Sequence, residues 1–98
     1  GSSSGKATYY AVGLGACGWT NSDSEYVVAM NAPQYSSGTC GQNIQITNPS
    51  TGKTQTAKIV DLCPGCSNGD LDMSPTLFSY LNDGNMDAGV FQMTWSYA

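Results

Sequence analysis

Apolar and polar positions alternate along several stretches of this chain, and the alternation predicts strands. Lys6 to Val12 (KATYYAV) has period-two character and is stopped by Gly13, Gly15 and Gly18. Tyr26 to Met30 (YVVAM) is a nearly continuous apolar run, as expected of a strand buried on both faces or inside a barrel. In Asn43–Asn48, Ile44 and Ile46 face one side while Gln45 and Thr47 face the other. The Asn48–Lys53 segment is a turn, and Thr54 to Leu62 returns as a second strand, so 43–62 is a predicted hairpin. Val90 to Tyr97 is a final strand with one apolar face. A single helix is predicted: Ser74 caps it, Pro75 takes its first position, Leu77, Phe78 and Leu81 form its apolar stripe, and Asn82-Asp83-Gly84 closes it. Five or six short strands and one helix, with no repeat and no internal linker, point to a small closed or partly closed barrel, since closure disposes of exposed strand edges.

The first five residues, Gly-Ser-Ser-Ser-Gly, carry no such pattern. They are expected to be a flexible linker or tag remnant outside the fold, leaving 6–98 as the domain. No transmembrane stretch and no leader segment is present, so a secreted protein would be in its mature form and no membrane partner is expected.

Charge then narrows the chemistry. The 98 residues include three Lys and seven acids, no Arg and no His, for a net charge of −4. Without His there is no Ser-His-Asp or Cys-His engine and no histidine-ligated metal. An acidic chain without Arg is repelled by nucleic acid. No cofactor and no metal is expected, and acid–base work falls to carboxylates, with Tyr and Lys as weaker candidates.

Cys17, Cys40, Cys63 and Cys66 are an even set in a short chain, which reads as two disulfides and an oxidising, extracellular compartment. A four-cysteine zinc site competes, but only Cys63 to Cys66 forms the C-x2-C knuckle that such sites present twice. A thioredoxin-type redox pair is the third option, and the Pro- and Gly-rich surroundings favour a loop over the helix start it needs.

Four groups stand out as candidate chemistry. Thr8-Tyr9-Tyr10 places adjacent tyrosines on opposite faces of a strand, one for the core and one for a sugar face. Asp61 ends an apolar strand, where a carboxylate needs partners or a cleft. Asp72, with Asp70 nearby, precedes the helix cap; capping and turn roles compete there with a site. Two carboxylates in one groove serve either glycoside hydrolysis or sugar binding. Trp19, in a Gly-rich loop beside Cys17, reads as surface or rim, as does Tyr35 in a polar loop.

In order along the chain, Lys6 to Tyr10 (KATYY), Gly15 to Gly18 (GACG), Gly38 to Gly41 (GTCG), a strand ending in Asp61 and Leu71 to Pro75 (LDMSP) resemble the N-terminal domain of expansins, while Gly13 to Gly18 (GLGACG), Asp61 to Cys66 (DLCPGC), Asp70 to Pro75 (DLDMSP) and Met93 to Ser96 (MTWS) resemble blocks of the loosenins and the papain inhibitor. The resemblance covers residues 6–97 and is greatest to the single-domain fungal loosenins and the small bacterial papain inhibitor. It implies a six-stranded double-psi β-barrel, shared with barwin-like and rare-lipoprotein-A proteins and with family-45 endoglucanases. It also implies the pairing Cys17–Cys40 and Cys63–Cys66; the first would contribute ~3 kcal/mol on the chain-entropy model.

The resemblance implies a polar groove at Thr8, Tyr10, Asp61 and Asp72, with Trp19 as a further stacking surface. In the endoglucanase relatives the position of Asp72 is the general acid, and a second Asp after the first-strand aromatic is the base. Here that stretch is Tyr10-Ala11-Val12, without a carboxylate. Expansins carry the same Asp pair and are not regarded as hydrolases. The implied function is therefore a secreted, monomeric protein that binds cell-wall polysaccharide (cellulose, chitin or peptidoglycan) and loosens it without hydrolysis. Two alternatives remain open: a papain-type protease inhibitor using loops such as 19–25 or 33–39, and a lytic glycosidase or transglycosylase with Asp72 as acid and Asp61 as its partner.

Overall fold

The hairpin shows most directly how sequence becomes barrel. β3 (Asn43–Asn48) and β4 (Lys53–Cys63) pair antiparallel, with Ile44 and Ile46 fully buried and Gln45 exposed, as the alternation predicts. In the computed structural model, which describes residues 1–98, these strands join β1 (Ser3–Tyr9), β2 (Val27–Asn31), β5 (Leu71–Met73) and β6 (Phe91–Tyr97). The six close into one barrel in the order β1-β5-β2-β4-β3-β6. β1/β5 and β2/β4 are parallel and the other pairs antiparallel. This mixed, crossed-over closure is the double-psi β-barrel, and it leaves no free edge. Met30, Ile44, Ile59, Leu71, Met73 and Met93 fill it, and α1 (Pro75–Leu81) plugs one side with Leu77, Phe78 and Leu81. No helix is long and apolar enough to cross a membrane.

α1 starts as its sequence dictates. The Ser74 hydroxyl accepts from the Leu77 N–H at 3.3 Å, and Pro75 occupies the first turn. Its far end is closed from the hairpin turn: the buried Asn48 side chain donates to the Leu81 carbonyl at 3.0 Å and accepts from the Ser50 N–H at 3.0 Å. Asn48→Ala removes both bonds and is expected to cost ~1–3 kcal/mol, read as a lower melting temperature.

One expectation is corrected. β1 begins at Ser3, so Ser3, Ser4 and Gly5 belong to the barrel and are not a free lead-in. They pair with Trp95, Thr94 and Met93 of β6 through backbone alone, which leaves no apolar signature. Gly5 is also held by contact: a Cβ there would lie 2.5 Å from the Gly69 backbone. Tyr35 is half-buried at the edge of the core cluster, with its hydroxyl 3.6 Å from the Cys40 sulfur, a packed form of the rim position expected for it. β5 and two 3-10 turns, Ala32–Gln34 and Ser37–Thr39, are additions to the predicted elements. Both disulfides form, Cys17–Cys40 and Cys63–Cys66, and no cysteine is free.

Candidate functional site

Strand register lines up the candidate residues. Thr8 of β1 stands opposite Asp72 of β5, Asp72 opposite Ala29 of β2, and Ala29 opposite Asp61 of β4. Four consecutive strands thus carry one row, Thr8–Asp72–Ala29–Asp61, spanning ~14 Å at the usual strand spacing. Ala7 beside Thr8, Leu71 and Met73 beside Asp72, and Val28 and Met30 beside Ala29 belong to the core, so these three point outward, and Asp61, in register with Ala29, follows them; Ala29 itself is covered, only 2 % exposed. Ala29 contributes only a methyl group between the two carboxylates.

A bulge delivers Asp61 to this face. Val28 pairs with Ile59 but Ala29 with Asp61, so Val60 is an extra residue on β4. Strict alternation after the core residue Ile59 would turn Asp61 inward; the bulge re-aims it. Asp61 is then pinned: its Oδ1 accepts from the Ala16 N–H at 2.7 Å and the Leu62 N–H at 2.8 Å. The first of these bonds needs Gly15, because a Cβ there would meet the Val60 carbonyl oxygen at 2.3 Å. The Gly-rich run after β1 is therefore a close-packed flap over Asp61.

Asp72 is half-buried and accepts from the Thr8 hydroxyl at 2.9 Å. Burial raises its pKa above the usual carboxylate range; the Thr8 bond works against that, and the charge of Asp61 adds to it. The folded chain therefore holds the Asp72 proton more tightly than the unfolded chain. Stability falls as pH rises from the ordinary Asp value through the raised one, and Asp72→Asn is expected to flatten that fall in melting curves taken from about pH 3 to 7.

Tyr10 follows β1 and enters the same face. Its hydroxyl is buried and lies toward the Asp61 carboxylate without a hydrogen bond of good geometry, and its pKa is raised, first by burial, then by the negative charges of Asp61 and Asp72 and by the approach to Asp61. Tyr9 turns the other way, as adjacent strand residues must; its ring lies 4.8 Å from that of Phe78.

Trp19 extends the row. Gly41, leading into β3, donates its N–H to the Ile59 carbonyl at 2.8 Å, one strand beyond Asp61. The Trp19 ring covers Gly41: a Cβ there would lie 3.1 Å from it, and Gly41 has φ of 81°. Trp19 stays 45 % exposed on its loop, which is braced by the Leu14–Thr20 bridge and the Cys17–Cys40 disulfide. With Trp19 the row reaches ~19 Å. Asp70 does not join it: its carboxylate accepts from the Lys6 and Ser67 N–H groups and closes a turn. Ala29 and Gly41 escaped sequence reasoning; their only signal is small size at positions where size matters after folding.

A closed double-psi barrel of this topology is an expansin-like and barwin-like fold. The chain belongs to the Barwin family, whose model matches residues 12–95. It is 38 % identical over 102 residues to Allergen Asp f 7 of Aspergillus fumigatus, covering 95 % of this chain and 36 % of the allergen. It is 37 % identical over 93 residues to kiwellin of Actinidia chinensis var. chinensis, covering 80 % of this chain and 42 % of kiwellin. It thus spans less than half the length of these relatives. Among solved structures, a mutant Clavibacter michiganensis expansin in complex with cellohexaose superposes with a TM-score of 0.87 at 27 % identity, over 100 % of this chain and 50 % of the expansin. A Streptomyces papain inhibitor superposes with a TM-score of 0.85 at 28 % identity, over 100 % of this chain and 94 % of the inhibitor.

Proposed function

We propose that this chain is a secreted, expansin-like protein that binds neutral cell-wall polysaccharide, cellulose or chitin, and loosens it without hydrolysis. The observation that carries this reading is the row Thr8–Asp72–Ala29–Asp61 with the Tyr10 hydroxyl beside it. Carboxylates accept hydrogen bonds from sugar hydroxyls, and Thr8 and Tyr10 offer hydroxyls of their own. Trp19 offers an aromatic face at the end of the row. The net charge of −4 suits a neutral or cationic polymer and disfavours polyanions. A glycan chain separated from its neighbours fits such a row better than one packed in a fibre. Binding the separated chain shifts the equilibrium toward it with no bond cut. Two disulfides and no free thiol support an extracellular setting. The expansin that carries cellohexaose supports the ligand class.

Co-sedimentation with insoluble cellulose, chitin and peptidoglycan tests the reading. Retention of the native chain by at least one polymer, reduced in Thr8→Val and Asp72→Asn, is the expected outcome. Protease inhibition is a second reading, favoured by the match over nearly the whole Streptomyces papain inhibitor. Papain activity titrated with the protein separates the two. Stoichiometric inhibition that survives Asp72→Asn, with no retention on any polymer, would establish the inhibitor and remove the glycan reading.

A further inference from the structure

A second surface of the molecule has the chemistry of a binding site and takes no part in the row. Tyr26, Pro75, Thr76, Ser79, Tyr80 and Met86 line an open cleft of about 430 Å3 beside α1. Its volume lies within the range usual for small-ligand sites. Tyr26 precedes β2 and Pro75 follows β5, so the cleft starts about three residues, roughly 10 Å, beyond Ala29 and Asp72 along those strands. The contacts of Asp23 stand between the two sites: its carboxylate accepts from the Val12 N–H at 2.7 Å and its carbonyl from the Thr76 N–H at 3.3 Å.

Two tyrosines dominate the cleft, and both stay exposed, 37 % for Tyr26 and 40 % for Tyr80. Their ring centroids are 6.2 Å apart and their planes are tilted by 43°, so the two rings pack against each other and together present a tilted aromatic platform to solvent. Tyr80 is held in place from outside the cleft. The Lys53 ammonium sits 5.0 Å from its ring centroid and is paired with Asp83 at 2.6 Å. That pair is neutral as a unit, and no residue lining the cleft is charged. The Thr76 and Ser79 hydroxyls make no hydrogen bond within the chain and remain free for a ligand.

We infer that this cleft is a second saccharide site, which takes one neutral pyranose ring of a β-linked glycan across the exposed faces of Tyr26 and Tyr80. A pyranose presents C–H groups on its faces and hydroxyls around its edge. Tilted aromatic faces meet the former, and Thr76 and Ser79 meet the latter. A charged sugar would find no counter-charge. The choice of ligand rests on the glycan reading of the row. Two sites on adjacent faces would let one molecule hold two chains, or two stretches of one chain, and raise its retention on a polymer above what either site provides.

The test is a titration of the 15N-labelled protein with cellohexaose and, separately, with chitohexaose, following amide shifts. Two groups of shifts are expected, one at Thr8 and Asp72 and one at Thr76, Ser79 and Tyr80. Tyr80→Ala and, independently, Tyr26→Ala weaken the second group by about tenfold and leave the first in place. Asp72→Asn does the reverse. Both tyrosines are surface residues on different elements, so agreement between the two variants separates lost contact from local unfolding. Shifts confined to Thr8 and Asp72 would overturn the cleft and keep the row. Shifts confined to the cleft would overturn the row and keep the second site. Cleft shifts that persist in both tyrosine variants, or that phenol produces and neither sugar does, would overturn the saccharide assignment. No shift at either place would overturn both.

Discussion

Replacing Cys17 and Cys40 together by Ser lowers the stability of the protein by ~3 kcal/mol on the chain-entropy model and its melting temperature by roughly 15 °C. The two cysteines are 23 residues apart, so their bond restrains a long stretch of the unfolded chain. It also acts on the native site. Cys17 lies in the flap whose Ala16 N–H holds Asp61 and whose Trp19 covers Gly41, while Cys40 leads directly into β3. Cutting the bond frees the flap, so glycan binding falls along with stability. Cys63 and Cys66 are only 3 residues apart, and replacing them costs less, ~2 kcal/mol or below on the same model. Thermal melts of the two paired-Ser variants without reductant make the comparison. Equal losses for both pairs, or an unchanged melting temperature for Cys17→Ser/Cys40→Ser, would contradict this account.

The second large effect is expected in binding. Asp72→Asn keeps the volume of the side chain and an oxygen to accept from Thr8, but it removes the charge. Hydrogen bonds to a charged acceptor contribute about 1.5–3 kcal/mol, so affinity for cellohexaose should fall about tenfold to a hundredfold. Asp61→Asn should cost less in binding, because Asp61 already accepts two backbone N–H bonds. Calorimetric titration of the three proteins reads the order directly. Unchanged affinity in Asp72→Asn would take the row out of the function.

How far the sequence carries differs from element to element. β3, β4 and β6 are legible within one residue because each alternates over at least six residues and faces the core on one side only. α1 is legible from Ser74-Pro75 and its apolar stripe. β5 is not, since three residues cannot show a period; it is a strand because β1 and β2 flank it. The start of β1 is hidden in Ser and Gly, where pairing is done by backbone alone. The site divides in the same way. Asp61 and Asp72 stand out as carboxylates in apolar surroundings, and the family resemblance groups them. Their alignment through Ala29 depends on register across three strands and on the extra residue Val60, which no local pattern encodes. Tyr26 and Tyr80 escape for a similar reason: they lie on separate segments far apart in the chain, and only folding pairs them.

The central claim is that the carboxylate row binds glycan and does not cut it. The most direct test incubates the native protein with the polymer that retains it and measures, in one sample, bound protein and newly formed reducing ends. The predicted result is saturable binding, weakened in Asp72→Asn, with reducing ends at the level of the buffer control for both proteins. Reducing ends that accumulate with the native protein and vanish with Asp72→Asn would contradict the claim and make Asp72 a general acid.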